Sequence, residues 1–312
     1  MVKYIVKRLL QMVLIVFAAS ILIFCLIRIA PSDPIASMTK GKKISEDTRA
    51  ALEKQYYLDK PLPEQYAIWI THALRGDLGD SFDKKQSVTS LIAERLPTTL
   101  QVVLMSAVLA LLISIPIGVI SAVKMNTAVD RILSIVTLIL VASPVFLTAI
   151  VLILVFALNL GWFPTFGTGD GFVENLYYLF LPSFALSLNM VALISRITRS
   201  NMIKELNSNY AMTAIAKGVP YRRVVMKHCF KNAMIPVITV ASIQIGSMIV
   251  GAVLVENVFG LGGLGDVLIT GIKASDYPVV QGITLLLVVI FAVINLLVDI
   301  VYAAIDPRIR LG

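Results

Sequence analysis

Two histidines, His72 and His228, and two cysteines, Cys25 and Cys229, are the chain's whole supply of imidazole and thiol. A structural or catalytic metal site needs three or four such ligands at short, recurring spacings. Neither histidine has a partner at metal spacing, so both read as solvated surface residues. The cysteines do not suggest a disulfide: one lies in an apolar run, the other in a basic segment some two hundred residues later. No His/Asp/Glu set clusters in the apolar segments, as an intramembrane hydrolase would require. A phosphate-cradling G-x-x-x-x-G-K-[ST] loop is also missing. Gly41-Lys42-Lys43 lacks the leading glycine and the following Ser/Thr, and the glycines from 260 to 265 read as tight turns at the end of an apolar run. No catalytic residue, metal ligand or resident cofactor is assigned.

The residues that do form a pattern lie between Arg196 and Lys231, a connection far longer than the usual helix-helix link. Small residues recur at helical spacing through Tyr210-Ala211-Met212-Thr213-Ala214-Ile215-Ala216, and Gly218 then stops the helix. Pro220 is placed to begin another helix, Tyr221 to Lys231, which leads into the next apolar run. Two readings stay open on the residues alone. The segment is a short helix that inserts into a groove of another protein, with Ala211, Ala214 and Ala216 allowing close approach. Otherwise it is an amphipathic helix lying on lipid headgroups.

The elements that hold this segment follow from composition. Of 312 residues, 58% are hydrophobic and 15% charged, with a mean hydropathy of +0.87. A soluble core cannot hide that much apolar surface, and disorder, a disulfide scaffold and a collagen-like fibre are excluded on the same grounds. An all-α integral membrane protein is expected. A bilayer core of about 30 Å takes about 20 apolar residues of helix. Six spans are predicted: Leu9–Ile27, Leu96–Val123, Ile132–Asn159, Asn175–Ser195, Asn232–Val255 and Tyr277–Val298. Continuous apolar runs do not suit barrel strands. The first run has the basic front of a signal peptide but is too long and lacks a small-x-small cleavage site, so it reads as a retained anchor. With the N-terminus inside, the inner segments 1–8, 124–131, 196–231 and 304–312 carry 15 Lys and Arg against three acids. That asymmetry puts both termini in the cytoplasm and accounts for the net charge of +8 without nucleic acid. The chain divides into an anchor (1–30), an extracytoplasmic loop (31–95), a main membrane domain (96–303) containing the 196–231 loop, and a tail (304–312). Pro116, Pro144, Pro182 and Pro236 suggest bent helices. Glu256 and Asp299 read as interfacial, and the lack of mid-membrane charge argues against a proton- or sodium-coupled carrier.

Several motifs carry a resemblance. Tyr210 to Pro236 is similar to the cytoplasmic coupling loop of binding-protein-dependent ABC-transporter permeases, whose motif is Glu-Ala-Ala, three residues, Gly. Gly218 and Ala214 match it, whereas Met212 and Thr213 depart from it. Thr213 to Gly218 and His228 to Ala233 resemble the dipeptide/oligopeptide/nickel branch. So do Arg75-Gly76-Asp77-Leu78-Gly79-Asp80-Ser81, Leu96 to Thr99, Glu256 to Gly265, Asp276 to Gln281 and Asp306 to Arg310. The long loop after the first span is similar to the first of that branch's two permease subunits. The resemblance implies an inner-membrane importer subunit of bacterial or archaeal type that carries di- or oligopeptides, or else nickel, a metallophore or glutathione. It implies three kinds of partner besides lipid: a second homologous permease, two ATP-binding subunits holding ATP and Mg, and an extracytoplasmic substrate-binding protein. Tyr210, Ala211, Thr213, Ala214, Ala216, Gly218 and Pro220 would couple to the ATPase subunits. Gly76, Asp77 and Gly79 would lie near the outer gate. A secondary carrier or a membrane anchor is the alternative from another class.

Overall fold

The computed structural model describes residues 2–29, 34–39 and 42–305. The expected tail motif Asp306 to Arg310, Gly41 and the Asp299 side chain lie outside what is described. Every regular element among the described residues is helical. They are α1 (Val2–Ile29), α2 (Pro34–Met38), α3 (Glu46–Gln55), α4 (Leu62–Leu74), α5 (Val88–Val123), α6 (Ala128–Ala142) and α7 (Val145–Leu152). Then follow α8 (Phe172–Leu206), α9 (Asn209–Ala216), α10 (Tyr221–Arg223), α11 (Phe230–Phe259), α12 (Leu264–Lys273) and α13 (Tyr277–Ile305). Wide π-helical turns extend α7 over Ile153–Asn159 and join α10 to α11 over Val224–Cys229.

Among the described residues five helices are long and apolar enough to cross a membrane, and α6 with α7 form a pair bent by 109°. The predicted single span Ile132–Asn159 is therefore broken at Ser143-Pro144. Proline disfavours the helical region for the residue before it, and Ser143 is extended at φ −84°, ψ 125°. The other three expected kinks are absorbed inside α5, α8 and α11. Helix α5 starts earlier than predicted because the Ser87 hydroxyl accepts the Ser90 N–H and caps it. At 36 residues and about 1.5 Å per residue it is about 54 Å long, well beyond the hydrocarbon thickness.

The bundle has two ends, and side-chain contacts sort the elements between them. Helices α5 and α8 run parallel. Asn175 donates to Gln101 at 2.8 Å, Ser183 Oγ donates to the Val102 carbonyl, and Gly118 is packed against Ser195 and Thr198. Only the missing Cβ lets that last approach occur, since a Cβ would stand 2.5 Å from that of Thr198. Helix α13 returns antiparallel beside α1. One end therefore gathers the start of α1, the end of α5, the end of α8, α9 and the end of α13. The other gathers α2, α3, α4, α12 and the start of α13. The bent α6–α7 pair crosses between them. It starts where Asp130 meets Ser121 and Arg199, and ends where the Tyr177 hydroxyl donates to the Trp162 carbonyl. That makes six crossings, with both described ends of the chain on the α9 side. Wide apolar surfaces on α1, α5 and α6, such as Leu14, Leu112 and Leu138, stay exposed. Exposure on that scale belongs against lipid or a partner subunit.

Two buried polar clusters fasten the ends. On the α9 side Asp130, 4% exposed, takes a bidentate fork from Arg199 at 2.7 Å to each oxygen. On the other side Glu256, in the last turn of α11, is fully buried. The reason is the glycine-rich loop, which folds back so that the Gly265 N–H donates to Glu256 Oε2 at 2.7 Å while Leu264 N–H donates to Thr99 Oγ1. The loop then continues into α12, a helix the sequence reading did not anticipate.

Candidate functional site

Helix α9 is the short helix expected from the small-residue spacing, and its limits are set by two caps. Ser208 is extended at φ −75°, ψ 152° and its hydroxyl accepts the Ala211 N–H, which stabilises a helix start by about 1 kcal/mol. At the other end Gly218 has φ +80°. Its N–H donates to the Ile215 carbonyl and the Val219 N–H to the Ala214 carbonyl, the paired bonds of a Schellman cap. A Cβ at Gly218 would meet nothing within 4 Å. The demand for glycine is thus conformational and owes nothing to crowding. Pro220 follows at φ −54° and caps α10 from outside, so the chain reverses between two fixed φ values.

The connection is tighter than the 196–231 loop expected. Helix α8 continues to Leu206, and the basic segment after Pro220 is continuous through the π turns with α11. Only the residues from 207 to 220 separate the two long helices, so α9 is held on rigid struts.

The expected site residues divide by face. Ala211 is fully buried and Ala214 is half-buried against the core formed with Val224, Val225 and Cys229. These two alanines therefore seat α9 on its own chain, and the close approach they permit is internal. Thr213 and Ala216 are exposed, Thr213 returning its hydroxyl to the Asn209 carbonyl at 2.8 Å. Tyr210 is 40% exposed. Its hydroxyl donates to Glu205 Oε2 at 2.5 Å and accepts from Asn232 Nδ2 at 3.3 Å, bridging the end of α8 to the start of α11. Burial, followed by the Glu205 carboxylate, raises the Tyr210 phenol above its ordinary value, so it stays a neutral donor. The outward face also carries Met212 and Ile215, with Tyr221 and Met226 beside it, all about half exposed. Sequence reasoning passed over these four because it looked for small residues. Large apolar residues at i and i+3 beside a helix stop were the available signal.

Gly76, Asp77 and Gly79 lie at the opposite end and do not meet α9. Gly76, at φ +83°, ends α4 with the same pair of capping bonds, Gly76 N–H to Ala73 O and Asp77 N–H to His72 O. Asp77 accepts the Gly79 N–H through Oδ1 at 3.0 Å and faces His72 Nδ1 through Oδ2 at 3.1 Å. Gly79 then passes close to Pro278 at the start of α13. The three residues build a turn that fixes α4 against α5 and α13.

A short capped helix, half apolar, is carried on two struts at one end of a six-crossing bundle. The sequence matches the binding-protein-dependent transport system inner membrane component over residues 114–311 and the N-terminal component of such membrane proteins over residues 1–103. The chain belongs to this permease family. Over 316 residues it is 40% identical to the oligopeptide transport system permease protein AppB of Bacillus subtilis, covering 99% of this chain and 100% of the relative. Over 310 residues it is 37% identical to the glutathione transport system permease protein GsiC of Escherichia coli O6:H1, with 99% of each covered. Its fold is similar to a chain of the MetNI methionine ABC transporter in an inward-facing conformation. The TM-score is 0.59 at 18% identity, over 69% of this chain and 96% of that one. The permease is thus a membrane-spanning subunit of the ABC importer type.

Proposed function

We propose that this permease forms half of the membrane path for short peptides and is driven by ATP hydrolysed on partner subunits. The observation that carries the peptide assignment is the 40% identity to an oligopeptide permease along essentially the whole chain. The end carrying α9 is cytoplasmic, by the excess of Lys and Arg in the segments gathered there. The end carrying α2–α4 is extracytoplasmic, and the membrane is a bacterial or archaeal inner membrane. Two ATP-binding subunits holding ATP and Mg, a second related permease and an external binding protein complete the assembly. This chain supplies no ATP-hydrolysing group.

Coupling works by differential contact. ATP-binding subunits shift the permease between two conformations only if they grip α9 differently in each. Tyr210, Met212, Thr213, Ile215 and Ala216 form the gripped face. Ala211, Ala214, the Gly218 turn and Pro220 make α9 move as one body with α8 and α11. Access of the path to one side or the other then follows the tilt of those struts.

A second cargo is favoured by a specific observation, the 37% identity to a glutathione permease. Glutathione is itself a short peptide bearing extra carboxylate. The deciding experiment deletes the gene and measures uptake of labelled di- and tripeptides, glutathione and nickel. Loss of peptide uptake alone supports the proposal. Loss confined to glutathione, or to nickel, replaces it with that cargo.

A further inference from the structure

A groove of about 800 Å³ lies between the first half of α1 and the second half of α13, at the α9 end of the bundle. Helix α1 is the least buried of the five long apolar helices among the described residues. Its outer half is fastened to α4, where the Ser20 and Tyr66 hydroxyls pair at 2.8 Å and Phe24 packs edge-on against Tyr66. Its inner half meets α13 across the groove, where the buried small residue Ala292 leaves room.

The lining changes in character with depth. Lys7 is exposed at the mouth, just ahead of the apolar run that begins at Leu9. Gln11 comes one turn deeper on α1, and Leu14 and Ile15 one turn deeper again. At about 1.5 Å per residue these levels are about 6 Å apart. Helix α13 runs the other way, so its Asn295 lies one turn nearer the mouth than Phe291. A cation, then side-chain amides, then hydrocarbon is the order of a phospholipid's phosphate, ester and acyl chain. Snorkelling to the membrane surface accounts for Lys7 alone. It does not account for Gln11 and Asn295, since polar groups within the membrane are expensive unless paired.

The charge has a sign to match. No Asp or Glu is among the described residues that line the groove. In sequence Lys3, Lys7 and Arg8 outnumber Asp299, which comes one turn after Asn295. Arg8 lines the mouth too but makes an interaction of its own, so Lys7 is the group assigned to the ligand. An apolar helix seated here would leave a cation and two amides against hydrocarbon, whereas a phospholipid pairs with all three.

We propose that this groove holds one anionic phospholipid, its phosphate on Lys7, its ester oxygens on Gln11 and Asn295, and an acyl chain along Leu14, Ile15 and Phe291. The lipid seats the inner half of α1 against α13. Its placement in the inner leaflet rests on the orientation proposed above; the site itself rests on neither orientation nor cargo.

Bromine on an acyl chain quenches tryptophan only at close range, which makes occupancy of the groove measurable. The chain has two tryptophans, and Trp69→Phe with Trp162→Phe removes both. Into that full-length background Leu14→Trp places a reporter in the groove. Leu138→Trp on α6, an exposed position outside the groove, reports ordinary lipid contact. Both are reconstituted in nanodiscs of phosphatidylcholine containing a minor fraction of brominated phosphatidylglycerol or brominated phosphatidylcholine. These discs have equivalent leaflets, so an error in orientation does not affect the result. The expected result is a phosphatidylglycerol preference of about fivefold at Leu14→Trp, the worth of one basic residue at an anionic surface, and none at Leu138→Trp. Lys7→Gln should abolish the preference and Lys7→Arg should restore it, which separates lost charge from a damaged fold. Equal quenching by the two lipids at Leu14→Trp would overturn the proposal, as would the same preference at Leu138→Trp. Indifference to Lys7→Gln, or no quenching in the groove by either lipid, would also overturn it.

Discussion

Gly218→Val tests whether the shape of one turn transmits force. Glycine at φ +80° pays nothing for a left-handed backbone, whereas an L-residue with a Cβ pays about 1–2 kcal/mol and a β-branched one the most. No neighbour stands within 4 Å of the added Cβ, so the cost is confined to φ. If the valine instead relaxes to negative φ, the two capping bonds to Ile215 and Ala214 are lost. Helix α9 is only eight residues long and cannot persist without its caps and seat. A loss of 1–2 kcal/mol lowers the population of the docked geometry by a factor of about 5–30. Membrane insertion depends on apolar spans far from this turn and is unaffected. The assay is ATP-driven uptake and substrate-stimulated ATPase activity of the complete importer in proteoliposomes, with permease content measured by immunoblot. Gly218→Val should be present at normal level and lose most of both activities. Gly218→Asn is the discriminating control, because asparagine tolerates the left-handed region and should keep most of the activity. Full transport by the valine variant, or equal failure of valine and asparagine, would refute the conformational account.

Further expectations follow from the same geometry. In a chain lacking Cys25 and Cys229, a cysteine replacing Leu74, which is 83% exposed, should react with an impermeant thiol reagent added outside cells. One replacing Lys217 should react only after permeabilisation, and the opposite result reverses the proposed orientation. Asp130→Ala strands the Arg199 guanidinium, whose side chain is 31% exposed, and should cost about 3 kcal/mol, seen as a lowered melting temperature in detergent; an unchanged melt would show the fork to be idle. Gly265→Ala would set a Cβ 2.3 Å from the Val253 Cα and 2.9 Å from Glu256 Oε2. It should therefore destabilise by at least about 1–3 kcal/mol through overpacking, while Gly161→Ala, with open space around it, costs only the φ penalty; equal melts for the two would remove the packing explanation. Tyr210→Phe should keep the fold but loosen the link from Glu205 to Asn232, read as faster proteolysis within residues 207–220 and reduced coupling, whereas unaltered proteolysis and transport would leave the bridge without a role.

How much of this was written locally can be seen element by element. Six apolar runs, the charge asymmetry that orders the two ends, and the helix ended by Gly218 all depend on neighbours in the chain, and hydropathy, net charge and turn chemistry report those directly. The glycine stop at Gly218 was legible for the same reason, since positive φ is a property of single residues. What the tertiary structure decided concerns partners remote in sequence. Asp130 is buried because Arg199 reaches it from the far end of α8, and Glu256 is buried because the loop after it turns back and donates a backbone N–H. Neither fate can be read from the residue's own surroundings, where a carboxylate near a span end looks solvated. Among the prolines only Pro144 breaks its span. Pro116, Pro182 and Pro236 sit inside continuous helices, as membrane-spanning helices tolerate. The alanines of α9 show the limit most plainly. Their spacing predicted a helix with a small-residue stripe, and the helix formed, but only the packing of Val224 to Cys229 turned Ala211 inward and left Met212 and Ile215 facing out.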